Sequence, residues 1–466
     1  MSDNPDFPRH LGPSDSVTWR IEKDPILRST ICFLVIVDRP LDYEVLRRKL
    51  LDASHFFPRL RQVVVEVPFG ISTPIWANDP HFDLAFHLRI YRAGGDRSRE
   101  WLLTDAAAIA MQSFDRERPL WECVVVEDLA DGESAVILKV HHTLTDGVGG
   151  VQLMARLFDF AREPAPSGEE LPEVGDGETF TPSELMQQCG EYEARRRAEQ
   201  AVELAGSIAS SLKSPARSAR KTMSNLASIR RMLAPVTEPL SPIMTKRSPR
   251  YRFDMLTIPI DDLKSAAKAT GGKLNDAFLA GVTLTLQNYH ERQGVSVGHL
   301  RVNMPINIRT DDAVGAGGNQ WVPARFALPV STPDLGERMQ EMHNAVAVQR
   351  DEPALAFVEP AADLLDQLPT MVLVDVLGGM LKALDFVSTN VPGVPVPLYV
   401  AGSEIKTMIP YAPTGGAACA FALLSYKDQV SIGINCDPEA VEDHDLMLEC
   451  AREAFAEVGA YAQSDS

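Results

Sequence analysis

The sequence lacks any long hydrophobic run, and this absence limits where the protein can reside. No stretch of about 18 apolar residues occurs, so no membrane-spanning helix is predicted. The N-terminus has neither the positive charge nor the apolar core of a secretory signal peptide. The six cysteines show no CxxC spacing, which disfavours a disulfide framework. These features predict a reduced, cytoplasmic protein.

Positive charge is also scarce, because 45 lysines and arginines stand against 64 acidic residues and give a net charge of −19. A general role in nucleic-acid binding is disfavoured, since that role needs a basic surface. One segment departs from this balance: residues 205–252 hold ten lysines or arginines and a single acid, Glu238. This basic belt indicates either a solvated connecting helix or a surface for an anionic partner, such as a lipid surface or a phosphorylated ligand.

What is present is a chain of ordinary globular composition, in which each half alternates strand-like and helix-like segments. The predicted organisation is an N-terminal lobe at 1–161, a basic helical crossover at 162–250 and a C-terminal lobe at 251–466. The fold class is therefore predicted as α/β, or α+β, with two lobes whose sheets are covered by helices.

The second lobe carries signals that predict specific elements. Asn275 is predicted to cap a long apolar helix. Helical spacing extends over 361–384, and a short strand is predicted at 386–391. Two apolar runs joined by a short turn predict a hairpin of 417–426 and 429–436.

The whole chain centres on a pair of histidines. An apolar run at 135–140 predicts a strand that delivers His141 and His142, and Asp146 with Gly147 predicts a tight turn before a helix. A neutral imidazole accepts a proton near physiological pH, so it serves as a general base once its orientation is fixed. Because neighbouring residues of a strand point to opposite faces, one histidine is predicted to be catalytic and the other structural.

Other interpretations of this motif remain open on the residues alone. The histidines could be buried for structural reasons, or they could bind a metal together with Asp146. Chelation by both is awkward because their side chains point apart, and no second cluster supplies further ligands. A serine nucleophile would need a G-x-S-x-G elbow, which the chain lacks. The glycine-rich stretch 315–318 lacks the Lys-Ser/Thr ending of a phosphate-binding loop.

Residues 141–147 match the HHxxxDG motif of CoA-dependent acyltransferases, and further motifs narrow this resemblance. Their order is similar to that of bacterial wax ester synthase/diacylglycerol acyltransferases, over nearly the whole chain and most weakly at 162–250. The matching segments are Leu11-Gly12-Pro13-Ser14-Asp15, Pro119-Leu120-Trp121, Asn275-Asp276, Pro305-Ile306-Asn307-Ile308-Arg309, Gly318-Asn319, Asn390-Val391-Pro392-Gly393 and Ser425-Tyr426. Gly12 and Val394 depart from the family pattern, which has serine and proline there.

The resemblance implies two chloramphenicol acetyltransferase-like lobes with mixed sheets, covered by helices, and a central tunnel between them. It implies that His142 is the general base and that His141 supports it. Asp146, beside Gly147, then has a structural role and is expected to pair with Arg309.

The implied reaction transfers a long acyl chain from acyl-CoA, as co-substrate, to diacylglycerol, a fatty alcohol or both. No metal or other cofactor is expected. Asn275, Thr389 and Asn390 are the candidate donors to the reaction's oxyanion. The residues expected to contact substrate are Pro119, Leu120, Trp121, Thr389 and Asn390.

Two functions of other kinds stay open. An acyltransferase of the same fold could take its acyl group from a carrier-protein thioester, and a lipid-binding protein without activity could keep the fold. The basic belt also leaves open a peripheral contact with a membrane or a lipid body.

Overall fold

The computed structural model of the chain describes residues 7–144, 153–164, 168–212, 238–307, 321–352 and 358–464. The strands are β1 (Thr30–Val37), β2 (Gln62–Val65), β3 (Ile75–Asn78), β4 (Leu88–Arg92), β5 (Trp121–Glu127), β6 (Ser134–His141), β7 (Arg252–Pro259), β8 (His299–Asn307), β9 (Trp321–Pro329), β10 (Phe386–Val394), β11 (Tyr399–Val400), β12 (Ser403–Tyr411), β13 (Cys419–Tyr426) and β14 (Gln429–Cys436).

The α-helices lie between these strands and at both ends of the chain. They are α1 (Pro13–Ile21), α2 (Tyr43–Phe56), α3 (Leu84–His87), α4 (Arg99–Met111), α5 (Pro182–Leu212), α6 (Ile260–Ala269), α7 (Leu274–Arg292), α8 (Leu335–Arg350), α9 (Val358–Asp366), α10 (Thr370–Lys382) and α11 (His444–Ser464). None of those in the described parts of the chain has the length and hydropathy that crossing a membrane requires.

The first sheet has the strand order β11-β12-β1-β6-β5-β4, with β6 near its centre. β6 pairs antiparallel with β1 on one side and with β5 on the other. Its alternating side chains enter two separate cores, Val136 and Leu138 in one, and Ala135 and Ile137 in the other. A strand that is buried on both faces and paired on both edges is a rigid mount for the residues at its end.

The second sheet has the order β7-β14-β13-β10-β8-β9. β10 runs parallel to β13 and β8, whereas the other pairs are antiparallel. α7 and α11 pack against each other, with the rings of Phe278 and Phe455 stacked 6.2 Å apart, and Leu300 and Ile432 belong to the same buried cluster. The mixed sheets and their helical cover confirm the predicted fold class.

Strands β11 and β12 come from the second half of the sequence but lie in the first sheet, where β12 pairs with β1. The predicted lobe boundaries stay a prediction, and the sheets add that 399–411 crosses from the second half of the sequence into the first sheet. The physical reason is that β12 covers an edge of β1 that would otherwise be unpaired. Where β12 approaches β14, a Cβ atom added at Gly433 would lie 1.9 Å from the carbonyl oxygen of Pro410. The two sheets therefore meet backbone to backbone.

Two elements of the second lobe differ from the prediction, one helix and one strand. The segment 361–384 forms two helices, α9 and α10, because Pro369 precedes α10 in an extended conformation and cannot continue a helix. β10 continues to Val394, beyond the predicted end at 391. The predicted hairpin is confirmed, since β13 and β14 pair along their whole length.

Candidate active site

The histidine pair lies at the end of β6, where neighbouring strands hold its backbone from both sides. The His141 N–H donates to the carbonyl oxygen of Leu120 at 3.0 Å, and the His142 N–H donates to that of Ser29 at 2.9 Å. β6 ends at His141, and 142–144 form a short 3₁₀ turn. The predicted position of the pair at a strand end is confirmed.

The side chain of His141 is enclosed, with only 1% of the residue exposed. Nε2 lies 2.9 Å from Oε1 of Glu22, although the ring N–H is not aligned with that oxygen. Nδ1 lies 2.7 Å from Oγ1 of Thr143 and accepts the backbone N–H of the same residue at 3.2 Å. The rings of Trp19 and Phe114 meet the imidazole edge-on, with centroids 5.8 and 6.0 Å away. Polar and aromatic contacts thus fix the ring of His141.

Glu22 is a further residue of the site, and no sequence motif marks it. Its carboxylate accepts the backbone N–H of Ser29 at 2.6 Å and lies 3.7 Å from Arg116. Burial alone would raise the pKa of Glu22, but the contacts with His141, Ser29 and Arg116 together hold that pKa below its ordinary value. Glu22 is therefore a carboxylate at neutral pH.

The side chain of His142 is exposed on the 3₁₀ turn. Its imidazole is therefore accessible to a ligand, whereas that of His141 is enclosed. An accessible imidazole on a rigid strand end has the placement that a general base needs. The assignment of base and support to the two histidines stays a prediction.

Asp146, Gly147 and Arg309 lie outside the described residues, so the predicted ion pair stays a prediction. The central tunnel between the lobes also stays a prediction. A cavity of about 570 Å³ lies elsewhere in the second lobe, where Tyr289 and His444 contribute to its lining. Within the described ranges, no group of three or more His, Cys, Asp or Glu side chains is arranged to hold a metal ion.

The Pro-Leu-Trp segment packs inside the first lobe. Pro119, Leu120 and Trp121 are all buried. The indole N–H of Trp121 donates to the carbonyl oxygen of Leu60 at 2.9 Å, and its ring stacks on that of His87 at 4.6 Å. These contacts give the segment a packing role, and its contact with substrate stays a prediction.

Replacing Trp121 by phenylalanine is expected to lower the free energy of unfolding by about 1–3 kcal/mol, and a role in packing alone would leave the KM for acyl-CoA unchanged. The change leaves the buried carbonyl of Leu60 without its donor and opens a small void beside His87. Denaturant unfolding and steady-state kinetics on one preparation measure both quantities. A raised KM with unchanged stability would instead place the indole ring in the substrate site.

At the start of α7, the predicted cap is wrong. The helix begins at Leu274, and Lys273 rather than Asn275 occupies the N-cap position. The physical reason is Asp276, whose buried carboxylate accepts the backbone N–H of Lys273 at 2.7 Å and so satisfies the helix end. The same carboxylate lies 3.0 Å from Nδ1 of His343. Asn275 is left half-buried in the first turn.

Thr389 and Asn390 lie on β10, and both are half-buried. In the parallel pairing with β13, Thr389 lies opposite Ala422. Further along β10, a Cβ atom added at Gly393 would lie 1.4 Å from the carbonyl oxygen of Ser425. A glycine is therefore required at this close backbone approach, while the oxyanion role of Thr389 and Asn390 stays a prediction.

The described part of the basic belt is neutralised within the protein. Lys246, Arg250 and Arg252 form ion pairs with carboxylates of the second lobe, and Arg247 donates to backbone carbonyl groups. The three carboxylates are those of Glu442, Glu439 and Asp445, in that order. The other six basic side chains of the belt, between 213 and 231, lie outside the described residues.

Two mixed sheets covered by helices, with an accessible histidine at the end of a central strand, define the class of the protein. These are the features expected of a two-lobed, chloramphenicol acetyltransferase-like protein that bears an HHxxxDG motif.

Comparisons with known proteins narrow this class. The wax ester synthase/diacylglycerol acyltransferase catalytic domain matches residues 11–278, and the WS/DGAT C-terminal domain matches 317–459. A Mycobacterium tuberculosis relative named as a diacylglycerol O-acyltransferase is 34% identical over 475 residues, which cover 99% of this chain and 94% of the relative.

Solved structures share the fold. The wax ester synthase/diacylglycerol acyltransferase from Marinobacter aquaeolei VT8 matches with a TM-score of 0.62 at 21% identity, over 97% of this chain and 100% of that one. A variant starter condensation domain of rhizomide synthetase, in complex with C8-CoA, matches with a TM-score of 0.58 at 13% identity, over 98% and 95% of the two chains.

The chain therefore belongs to the wax ester synthase/diacylglycerol acyltransferase family, and it is an acyltransferase. The predicted family, fold class and enzyme class are confirmed.

Proposed function

We propose that the protein transfers a long acyl chain from acyl-CoA to an apolar alcohol, either diacylglycerol or a fatty alcohol. The product is then a triacylglycerol or a wax ester. The observation that carries the proposal is the accessible His142 at the fixed end of β6, beside the enclosed His141. Family membership narrows the chemistry to acyl transfer, and the names of the relatives suggest these two acceptors.

In the proposed reaction, the imidazole of His142 takes the hydroxyl proton of the alcohol as the alcohol oxygen attacks the thioester carbonyl carbon. A C–O bond forms, and the carbonyl oxygen becomes an oxyanion. When this intermediate collapses, the C–S bond breaks and the imidazolium returns its proton to the CoA thiolate. Proton transfer by a positioned base is worth roughly 10²–10⁴-fold in rate.

The oxyanion is where negative charge develops, and donors aimed at it often supply the largest share of the rate enhancement. Asn275 and Asn390 carry amide N–H groups, and Thr389 carries a hydroxyl. All three are half-buried in the second lobe. They are the proposed donors, so the alcohol and the thioester would react between the two lobes.

The remaining predicted residues act on His142 indirectly. His141 holds the end of β6 through its buried contacts. Asp146 and Gly147 shape the turn that follows, and Arg309 is the proposed partner of Asp146.

Acyl-CoA is the proposed donor because its thioester supplies both the acyl group and a good leaving group. Each proposed step uses side chains of this chain, and none calls on a metal or a prosthetic group. The condensation domain solved with C8-CoA has the same fold, which supports an acyl-CoA ligand here.

Peripheral contact with a membrane or a lipid body is part of the proposal. It is supported by the low solubility of both acceptors in water and by the positive charge at 205–252. Lys246, Arg250 and Arg252 are already paired with carboxylates. Such contact would therefore depend on the basic residues between 213 and 231.

A panel of acceptors tests the proposed function. With palmitoyl-CoA, the purified protein is expected to release CoA thiol when dioleoylglycerol or hexadecanol is present, and only at the background rate when both are omitted. Chromatography of the lipid products then shows whether triacylglycerol, wax ester or both are formed. The ratio of the two rates measures the preference for the acceptor.

Two outcomes would contradict the proposal. Ester formation from a carrier-protein thioester, without reaction of palmitoyl-CoA, would favour an enzyme that works with carrier proteins. Binding of both lipids without any thiol release would favour a lipid-binding protein.

A further inference from the structure

We infer that Glu22 is a positioning residue for the histidine pair, a role that rests on the proposed function of His142. Its Oε1 atom lies 2.9 Å from Nε2 of His141 and accepts the backbone N–H of Ser29 at 2.6 Å. The carbonyl oxygen of Ser29 in turn accepts the backbone N–H of His142 at 2.9 Å. One buried acid thus reaches the first histidine through its side chain and the second through the backbone.

The contacts of His141 define its tautomer. Nδ1 accepts the backbone N–H of Thr143, and a ring nitrogen that accepts a hydrogen bond carries no proton. The proton of the neutral ring is therefore on Nε2, the nitrogen that faces Glu22. Since that N–H is not aligned with Oε1, the carboxylate favours this tautomer by its charge and proximity.

Glu22 itself has a rigid mount. It directly follows α1, and Arg20 in that helix forms hydrogen bonds with residues where α9 ends and α10 begins. There Arg20 donates to the side chains of Asp366 and Thr370 and to the carbonyl oxygen of Leu368. The side chain of Glu22 is 10% exposed, so water screens its charge poorly. A fixed, poorly screened charge is what a positioning residue needs.

Glu66 provides a matched control for the loss of a carboxylate in this region. It lies 3.6 Å from Arg116, the arginine that lies 3.7 Å from Glu22. It accepts the indole N–H of Trp19 at 2.9 Å, whereas Glu22 accepts from Ser29. Its side chain is 58% exposed. Glu66→Gln therefore removes a carboxylate charge near Arg116, while its amide oxygen can still accept the indole N–H of Trp19, the ring that packs against His141. The contacts of Glu22 with His141 and Ser29 are not altered.

Two variants of Glu22 separate its charge from its backbone contact. In Glu22→Gln the amide oxygen still accepts from Ser29 but the charge is lost, whereas Glu22→Ala loses both. We expect kcat to fall about 10-fold in Glu22→Gln and about 100-fold in Glu22→Ala, because a small misplacement of a catalytic group has effects of this size. The KM for palmitoyl-CoA is expected to stay unchanged in Glu22→Gln, whereas its melting temperature falls, because the contacts that lower the pKa of Glu22 also stabilise the fold. Glu66→Gln is expected to retain the wild-type kcat.

A His141→Gln background tests whether Glu22 acts through His141. If it does, the additional loss from Glu22→Gln disappears in this background, because the effects of interacting residues are not additive. An equal loss in both backgrounds would overturn the inference. So would a wild-type kcat in Glu22→Gln.

Nitrogen NMR of histidine-labelled protein adds a readout that does not depend on turnover. The His141 signals, assigned by their absence in His141→Gln, are expected to show the Nε2–H tautomer in both proteins, since the Thr143 N–H still donates to Nδ1. The Nε2 resonance is expected to shift in Glu22→Gln, because the carboxylate charge beside it is lost. An unshifted Nε2 resonance in Glu22→Gln would overturn the positioning role. If the wild-type protein releases no CoA, the proposed function fails while this spectrum still decides the role of Glu22.

Discussion

Replacing His142 by alanine is expected to abolish acyl transfer while the protein stays folded. The imidazole is the proposed acceptor of the alcohol proton, and its loss removes a rate factor of roughly 10²–10⁴. Because the His142 side chain is exposed, its removal leaves the buried contacts of His141 in place. CoA release in the presence of an alcohol and thermal unfolding, measured on the same preparation, check both parts.

His81→Ala is the matched control, since His81 is another exposed histidine of the first lobe. It is expected to retain wild-type turnover and stability. A folded His142→Ala protein with the turnover of this control would exclude His142 as the base. A His142→Ala protein that unfolds would show instead that the side chain has a structural role.

Adding one methyl group at Gly433 is expected to destabilise the whole protein. The new Cβ atom would lie 1.9 Å from the carbonyl oxygen of Pro410 and 3.0 Å from its carbonyl carbon. Pro410 lies on β12, which is paired with β1, so its backbone cannot move without disturbing the first sheet. We expect Gly433→Ala to lower the free energy of unfolding by about 3 kcal/mol or more, at the upper end for overpacking.

Melting temperature and soluble yield measure this effect. Gly379→Ala is the control: among the described residues, nothing lies within 4 Å of a Cβ atom added there. Gly379 is inside α10, where alanine is favoured over glycine by about 0.5–1 kcal/mol. A Gly433→Ala protein as stable as this control would contradict the close approach of β12 and β14.

Elements with a local signal could be predicted from the sequence. The strand before the histidine pair and the hairpin of β13 and β14 are predicted from apolar runs with turn residues at their ends. Both are confirmed. The HHxxxDG segment and the order of the other motifs identified the family in the same way. Each of these signals lies within a few neighbouring residues.

Features that depend on distant partners could not be predicted. Nothing local shows that residues 399–411 pair with β1, because strand order is decided by which edges meet in the folded chain. The contact between Glu22 and His141 likewise forms only when α1 packs beside the end of β6. The residues around Glu22 in the sequence give no sign that its side chain is largely enclosed.

Residue type alone also misled at one helix end. Asn275 has a side chain that favours the N-cap position. The start of α7 is decided instead by the carboxylate of Asp276, which reaches back to the backbone N–H of Lys273. The N-cap residue, Lys273, lies two residues before Asn275, so a rule based on the preferred cap residue selected the wrong position.

Direct transfer from acyl-CoA to an alcohol is the central claim, and the first turnover tests it most directly. Rapid quenching of the protein with palmitoyl-CoA, with and without hexadecanol or dioleoylglycerol, measures the CoA released and the ester formed. Direct transfer predicts that CoA appears only with an alcohol, at the same rate as the ester, and that both disappear in His142→Ala. Release of one equivalent of CoA per protein without any alcohol would reveal a covalent acyl-enzyme and contradict direct transfer.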